Sequence, residues 1–297
     1  MAHVLEGRFV FIASLSDNLQ GDPQILLKRR QRPLPSGAAC AVRLHGDILK
    51  IRLDPEPSMR RPIRLLSVLV LCALAPAVYA DGSNAETLRK LTALGERGSA
   101  AAQYNVGMFY NNGIGTAEDP RAAFGWFQRA AAGGDALGHY KVGCYYAGQF
   151  PGAVEVDEAK ALAAKTVAAE AGYSLAQGDV GNIYGKRSDW PQAAKWWAAA
   201  AEQGYVPAAY NLANAYQRGQ GVPRDPVKAL TNMLIVARLT PEPMRQRLLP
   251  SIESIRGSMS SPQIAQAEAA AAGWQARPTP LTLRAQRGIR EVPELVK

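Results

Sequence analysis

Few side chains here could do covalent or metal chemistry: the 297 residues include three histidines and three cysteines. His139 stands beside Tyr140 with no recognisable metal-spaced or triad partner, which suits a structural imidazole better than a base or a ligand. Cys144 lies in an apolar stretch, where a thiol usually acts as a small packing group. No Ser-x-x-Lys, no Gly-x-Ser-x-Gly and no histidine-rich cluster occurs, so a hydrolase would have no evident base. Two Gly-x-Gly turns, at Gly113 and Gly115 and at Gly219 and Gly221, invite a phosphate-loop reading. That reading fails because no strand pattern precedes them and no Gly-Lys-Ser or Gly-Lys-Thr follows. No cofactor or metal is implied. What remains is reversible recognition by amides and bases, which can hold an extended backbone or a carboxylate.

Those amides and bases recur in register, because the elements that carry them recur. The blocks A-A-Q-Y-N-V-G-M-F-Y (101–110), L-G-H-Y-K-V-G-C-Y-Y (137–146), L-A-Q-G-D-V-G-N-I-Y (175–184) and P-A-A-Y-N-L-A-N-A-Y (207–216) end on Tyr110, Tyr146, Tyr184 and Tyr216. Their spacing of 32 to 38 residues is a repeat period. A second recurrence sits between the blocks: W-F-Q-R-A-A-A-G-G (126–134), W-W-A-A-A-A-E-Q-G (196–204) and the diverged A-K-T-V-A-A-E-A-G (164–172). Each unit is therefore two different helices, A and B.

The A-x-Y-x-L-G-x-x-Y helix, the Gly-x-Gly turn, Asp-Pro and the W-[FW]-x-x-A-A-x-x-G helix together resemble the Sel-one-like repeat (SLR) branch of the tetratricopeptide superfamily, over roughly 84–240. The resemblance implies an all-α solenoid of stacked antiparallel helix hairpins wound as a right-handed superhelix. The second repeat departs from the pattern through a longer inter-helix loop at Phe150, Pro151 and Gly152 and through Ala164 in place of tryptophan; the third has Gly178 in place of a tyrosine.

On helix A of the first repeat, Val106, Gly107 and Tyr110 share a face, since positions three and four apart are neighbours, and that face is expected to meet helix B. Mid-helix glycine costs about 1 kcal/mol relative to alanine, so Gly107, Gly143 and Gly181 predict a close approach that excludes a side chain; Ala213 takes that place in the fourth repeat. Trp126 with Phe127, and Trp196 with Trp197, are expected core, worth roughly 1.5 to 3 kcal/mol per large side chain. The loops 111–120 and 217–226 align without a gap and read as a helix stop followed by a start: glycine ends one helix, and Asp119-Pro120 or Asp225-Pro226 opens the next.

Leu88, Leu91 and Leu94 before Gly98 look like a lone helix B at the start of the array. Thr240-Pro241 should open a short helix that Pro250 ends. Ser261-Pro262 should open another carrying Ile264, Ala267, Ala271 and Trp274. Residues 241–275 thereby cap a solenoid domain of 81–240. Beyond Ala276, five basic residues, three prolines and few large apolar side chains predict a disordered basic tail, 276–297.

Residues 59–80, M-R-R-P-I-R-L-L-S-V-L-V-L-C-A-L-A-P-A-V-Y-A, combine arginines, an apolar run and a V-x-A ending, the pattern of a secretory signal peptide. The apolar run falls short of the roughly 20 residues a spanning helix needs, which favours cleavage over anchoring. Residues 1–58 are then a spurious or disordered extension upstream of Met59. The rival reading is a true extension, since Val42, Leu44, Leu49, Ile51 and Leu53 partly alternate around His45-Gly46-Asp47 like a small hairpin. Cleavage after Ala80 leaves 217 residues with 23 basic and 19 acidic side chains, a net +4 against +9 for the whole chain. Nucleic-acid binding loses its main argument with that fall. Cys144 is the one cysteine left, so no internal disulfide can form; cysteine-rich exported members of the resembled family differ in this.

The resemblance implies a non-enzymatic periplasmic adaptor that holds a protein or peptide segment in its groove, with the partner's identity open. Opposite the Val106, Gly107, Tyr110 face lie three columns: Met108, Cys144, Asn182 and Asn214; Asn111, Ala147, Gly185 and Gln217; and Asn112, Gly148, Lys186 and Arg218. Asn111, Asn112, Asn182, Lys186, Asn214, Gln217 and Arg218 are the candidate binding residues. The alternatives are a cell-envelope enzyme of β-lactam or peptidoglycan chemistry, a link known for some relatives, and a scaffold for polysaccharide secretion. Mass spectrometry of an exported fraction should find a mature chain beginning at Asp81; peptides from 1–58 in that fraction would contradict it.

Overall fold

A computed structural model of the protein describes residues 40–44, 47–51 and 82–297, and divides the chain into two compact units, 1–79 and 80–297. In the first unit, β1 (Cys40–Leu44) pairs antiparallel with β2 (Asp47–Ile51), with Val42 opposite Leu49. The alternating pattern around His45 thus corresponds to a backbone ladder at these residues; Leu53, the remainder of 1–58 and the signal-like run lie outside the described residues.

Helices make up the second unit. The array runs α1 (Gly82–Glu96), α2 (Ala100–Asn112), α3 (Pro120–Ala132), α4 (Ala136–Tyr146), α5 (Glu158–Glu170), α6 (Ser174–Lys186), α7 (Trp190–Glu202), α8 (Val206–Arg218) and α9 (Pro226–Leu239). Each helix packs on its neighbours in sequence, so α2/α3, α4/α5, α6/α7 and α8/α9 form four stacked hairpins with α1 ahead of them. This is an all-α solenoid.

Capping fixes the helix starts. Side chains of Ser99, Asp119, Asp135, Asp157, Asp189 and Asp225 each accept from a backbone N–H in the first turn of the following helix, and Pro120 and Pro226 occupy first turns that need no donor there. Helices α2 and α8 end on Gly113 and Gly219, both left-handed at φ 63° and 71°. The second glycine of each turn has another duty. A Cβ on Gly115 would strike the Asn84–Ala85 backbone, and one on Gly221 the Trp190–Pro191 backbone, so each loop is pressed onto the start of the preceding helix B.

Inside each of the first three hairpins the mid-helix glycine admits one large side chain. A Cβ on Gly107 would lie 2.6 Å from the Phe127 ring, and one on Gly181 the same distance from the Trp197 indole. In the second repeat the intruder is not aromatic: the Lys165 stem lies over Gly143, with Lys165 Cγ 2.6 Å from the position of a Cβ. The tryptophan pairs divide between two roles. Phe127 and Trp197 are 0% and 6% exposed, while Trp126 and Trp196 are only half-buried. Val106 clusters with Leu88 and Leu91 of α1 as well as with half-buried Trp126 of α3, because a helix inside a stack has neighbours on two sides.

After α9, Pro250 opens α10 (Leu249–Arg256) instead of ending a helix, since proline suits a first turn. Helix α11 (Ser261–Gly273) lays buried Ala267 and Ala271 toward α9. The tail corrects the expectation of disorder. It forms α12 (Pro280–Arg287), a 3-10 turn (Gly288–Glu291) and α13 (Val292–Leu295), and buries Thr282 and Val292. Its composition cannot build a core of its own, but the repeats supply the apolar and polar surface it lacks. Gly143→Leu should overpack the second hairpin and cost about 1 to 3 kcal/mol or more. Thermal unfolding followed by circular dichroism should show a lowered or split transition, and an unchanged curve would contradict the close approach.

Candidate functional site

Between repeats the chain turns from the end of helix B into the next helix A, and these turns line up along the array. Residues 276–297 run along that line in the direction opposite to the repeats. Arg277 N–H donates to Glu202 O at 2.9 Å, beside the turn between α7 and α8. In the same turn Gln203 Oε1 accepts from Thr279 N–H at 3.0 Å, and one turn earlier Thr279 Oγ1 donates to Gly172 O at 2.8 Å. The Thr282 hydroxyl donates to Gln203 Oε1 at 2.6 Å and accepts from Ser174 N–H, a free donor at the start of α6, at 3.0 Å. Gln203 Nε2 closes the cluster by donating to Gln177 Oε1 and Gly172 O. Ser174, Gln177, Gln203 and Thr282 are all buried, and these bonds are what make that burial tolerable.

The next turn supplies charge. One oxygen of Asp135 accepts from Leu137 and Gly138 N–H, capping α4, while the other lies 2.7 Å from Arg284 Nη2. Arg284 also faces Glu291 at 3.3 Å and lies over the Tyr104 ring, 5.5 Å from its centroid. Leu281 and Ala285 pack against the cluster around Phe127 and Tyr145. At the far end Asn105 Nδ2 donates to Glu291 Oε1 at 3.4 Å, and Val292 seats among Leu88, Leu91, Val106 and Phe109.

Beneath this line lies a polar cluster built where the repeats deviate from their pattern. Lys165 Nζ is 2.6 Å from Asp179 Oδ2, across the junction of the second and third repeats. Burial alone would lower the Lys165 pKa; the Asp179 carboxylate more than offsets it and holds the ammonium above its usual value. Tyr140 Oη donates to the same carboxylate oxygen at 3.2 Å. Tyr205 comes from the next turn to fill the space over Gly178, where the other repeats carry Tyr104, Tyr140 and Tyr210 of their own. Cys144 is buried beside this cluster, and burial pushes its thiol up, which leaves it a poor nucleophile.

The candidate residues read from the columns lie at the opposite ends of the A helices. Several serve the scaffold. Asn111 Oδ1 accepts from Tyr145 Oη at 2.7 Å; Asn112 Nδ2 and Asn214 Nδ2 donate to carbonyls one turn earlier; Asn182 Oδ1 accepts from both Trp197 Nε1 and Asn211 Nδ2. Gln217 is half-buried, and Lys186 and Arg218 are exposed. Exposed Arg187 adjoins Lys186, and exposed Arg224 follows Arg218 in the loop whose Gly221 rests on Trp190, at the start of α7. No carboxylate among the described residues forms an ion pair with any of these four bases. Among the described residues no grouping of histidine, cysteine and carboxylates is suited to a metal ion.

Sequence reasoning missed Asp135, Gln203, Thr282 and Arg284. Asp135 and Gln203 fall at the ends of recurring blocks, where they read as punctuation, and the two tail residues belong to no repeat.

The profile of the family described as Sel1 repeat matches residues 100–135, 136–163, 168–205 and 206–234, the four hairpins. A Sel1 repeat protein from Oxalobacter formigenes is similar at 27% identity with a TM-score of 0.51, over 57% of this chain and 49% of its own. A protective antigen of uropathogenic Escherichia coli strains displaying an SLR fold is similar at 22% identity and a TM-score of 0.49, over 66% of this chain and 50% of its own. This chain thus spans about half the length of either structure. None of the curated proteins compared matches it.

Two substitutions of Asp135 separate its two roles. Asn can still cap α4 but cannot pair with Arg284, so Asp135→Asn should speed hydrogen exchange across α12 while moving the global transition little. Asp135→Ala loses the cap as well and should cost a further 0.5 to 2 kcal/mol or so. Exchange across α12 that is identical in wild type and Asp135→Asn would show that the ion pair does not hold the tail.

Proposed function

Because this chain carries four Sel1 repeats, a unit that commonly serves as a protein-interaction scaffold, we propose that it is a non-enzymatic adaptor of the bacterial periplasm, exported through cleavage after Ala80. Its partner is a protein or peptide segment carrying acidic side chains or a free carboxylate. The observation that supports this most is the set of exposed bases at the ends of α6 and α8, Lys186, Arg187, Arg218 and Arg224, which have no carboxylate partner among the described residues. Charges left exposed contribute little to stability, so their cost to the fold is small and their value lies in attraction at a distance. Asn111, Asn112, Asn182, Asn214 and Gln217 lie along the same ends and offer amide groups for an extended backbone. The amides already engaged within the scaffold would contribute a fixed rim, with the flexible bases reaching the ligand.

Charge reversal tests the reading. Lys186→Glu with Arg218→Glu should weaken capture of the partner crosslinked in the periplasm by several kcal/mol, because repulsion replaces attraction. Far-UV helicity should be unchanged. Full recovery of the partner at unchanged helicity would place the binding surface elsewhere.

A further inference from the structure

The line of inter-repeat turns already binds a polypeptide, and the way it does so has the chemistry of peptide recognition. Every partner on the solenoid side comes from the repeats: the carbonyls of Gly172 and Glu202, the amide of Gln203, the N–H of Ser174, the Asp135 carboxylate and the Tyr104 ring. The bound segment meets them with two backbone N–H groups, two hydroxyls three residues apart, a guanidinium two residues later and an apolar side chain eight beyond that. Residues 274–279, which lead from α11 into it, have no helix or strand. The fit is complete around Thr282, 2% exposed, and incomplete at the far end. There Asn105 is fully buried, yet its Oδ1 finds no donor among the described residues, and Glu291, the tail residue beside it, accepts from its Nδ2 instead. A buried acceptor without a donor weakens the seating of residues 288–297 relative to a segment that could satisfy it.

We propose that this line is a binding strip for polypeptide segments of the pattern Thr-x-x-Thr-x-Arg, filled in cis by residues 276–297, and that a partner segment of that pattern binds by displacing them. The cis segment acts as a competitor that lowers apparent affinity by the fraction of time the strip is occupied. The strip and the basic ends of α6 and α8 are separate surfaces, so this inference does not rest on the acidic-segment reading.

The test uses the full chain and a fluorescent peptide of the sequence 275–297. Thr282→Val with Arg284→Glu in the chain should unseat its own segment, seen as fast hydrogen exchange across 280–295. That variant should then bind the peptide about tenfold or more tightly than wild type, whose strip is filled. A peptide bearing the same two substitutions should not bind, and Lys186→Glu with Arg218→Glu in the chain should leave peptide binding unaltered. An unseated segment without peptide binding would overturn the proposal. So would a concentration-dependent dimer that the peptide does not dissolve, since it would assign the strip to a second copy of the chain. If the double variant loses its helicity, the milder Arg284→Gln answers instead; faster peptide exchange than in wild type supports the strip, and loss of folding there too shows that the segment is a fixed part of the array.

Discussion

The solenoid depends on a missing side chain in the middle of helix A. Glycine at 107, 143 and 181 is a poor helix former, and each helix gives up about 1 kcal/mol to carry it. In exchange the partner helix comes within van der Waals contact and inserts one large side chain: Phe127, the stem of Lys165 or Trp197. Alanine-rich flanks on the B helices, buried at Ala123, Ala130, Ala161, Ala168, Ala193 and Ala200, keep the rest of the interface equally thin. Hairpins so closely joined present flat sides, and flat sides can be stacked.

Stacking has a consequence at the edges. Each turn between repeats presents carbonyls and helix-start N–H groups at an edge that neighbouring repeats satisfy only in part, since contacts in a solenoid are local. Residues 276–297 run across three of these turns and satisfy them. Buried Ser174 and Gln203, which would otherwise be costly, take partners from this one segment, while buried Gln177 is satisfied by Ala169 and Gln203. The second repeat solves a related problem internally. Where it lacks an aromatic it places Lys165, whose charge then requires Asp179, and that pair ties α5 to α6 across the repeat boundary.

The repeat, the helix pairing, the Gly-x-Gly turns and the caps were legible because each is a local pattern with a local cause, and recurrence multiplied the signal. Order in the tail was not legible: its basic, proline-rich composition is that of a disordered chain, and only a surface formed by residues 75 or more positions away supplies its partners. Lys165 was read as part of a diverged block because a lysine in an aromatic column looks like a loss; its stem does the packing and its ammonium finds a carboxylate that sequence spacing does not reveal. Gly178 looked like a gap, and Tyr205 fills it from the following repeat. The contact of Val106 with α1 was not legible because helical periodicity gives a face without saying which of two flanking helices it meets. The columns of Asn111, Asn182 and Asn214 were chosen as lying opposite the Val106, Gly107, Tyr110 face, and their amides also serve tyrosine, tryptophan and backbone partners inside the array.

The most direct measurement is a double-mutant cycle between Gly107 and Phe127. Helix propensity alone makes Gly107→Ala stabilising by about 1 kcal/mol, whereas close approach makes it destabilising because the new methyl meets the ring. The account predicts a lowered unfolding free energy for Gly107→Ala, with much of the loss relieved when Phe127→Leu is added, a coupling of about 0.5 to 3 kcal/mol. A stabilised Gly107→Ala that is additive with Phe127→Leu would contradict it.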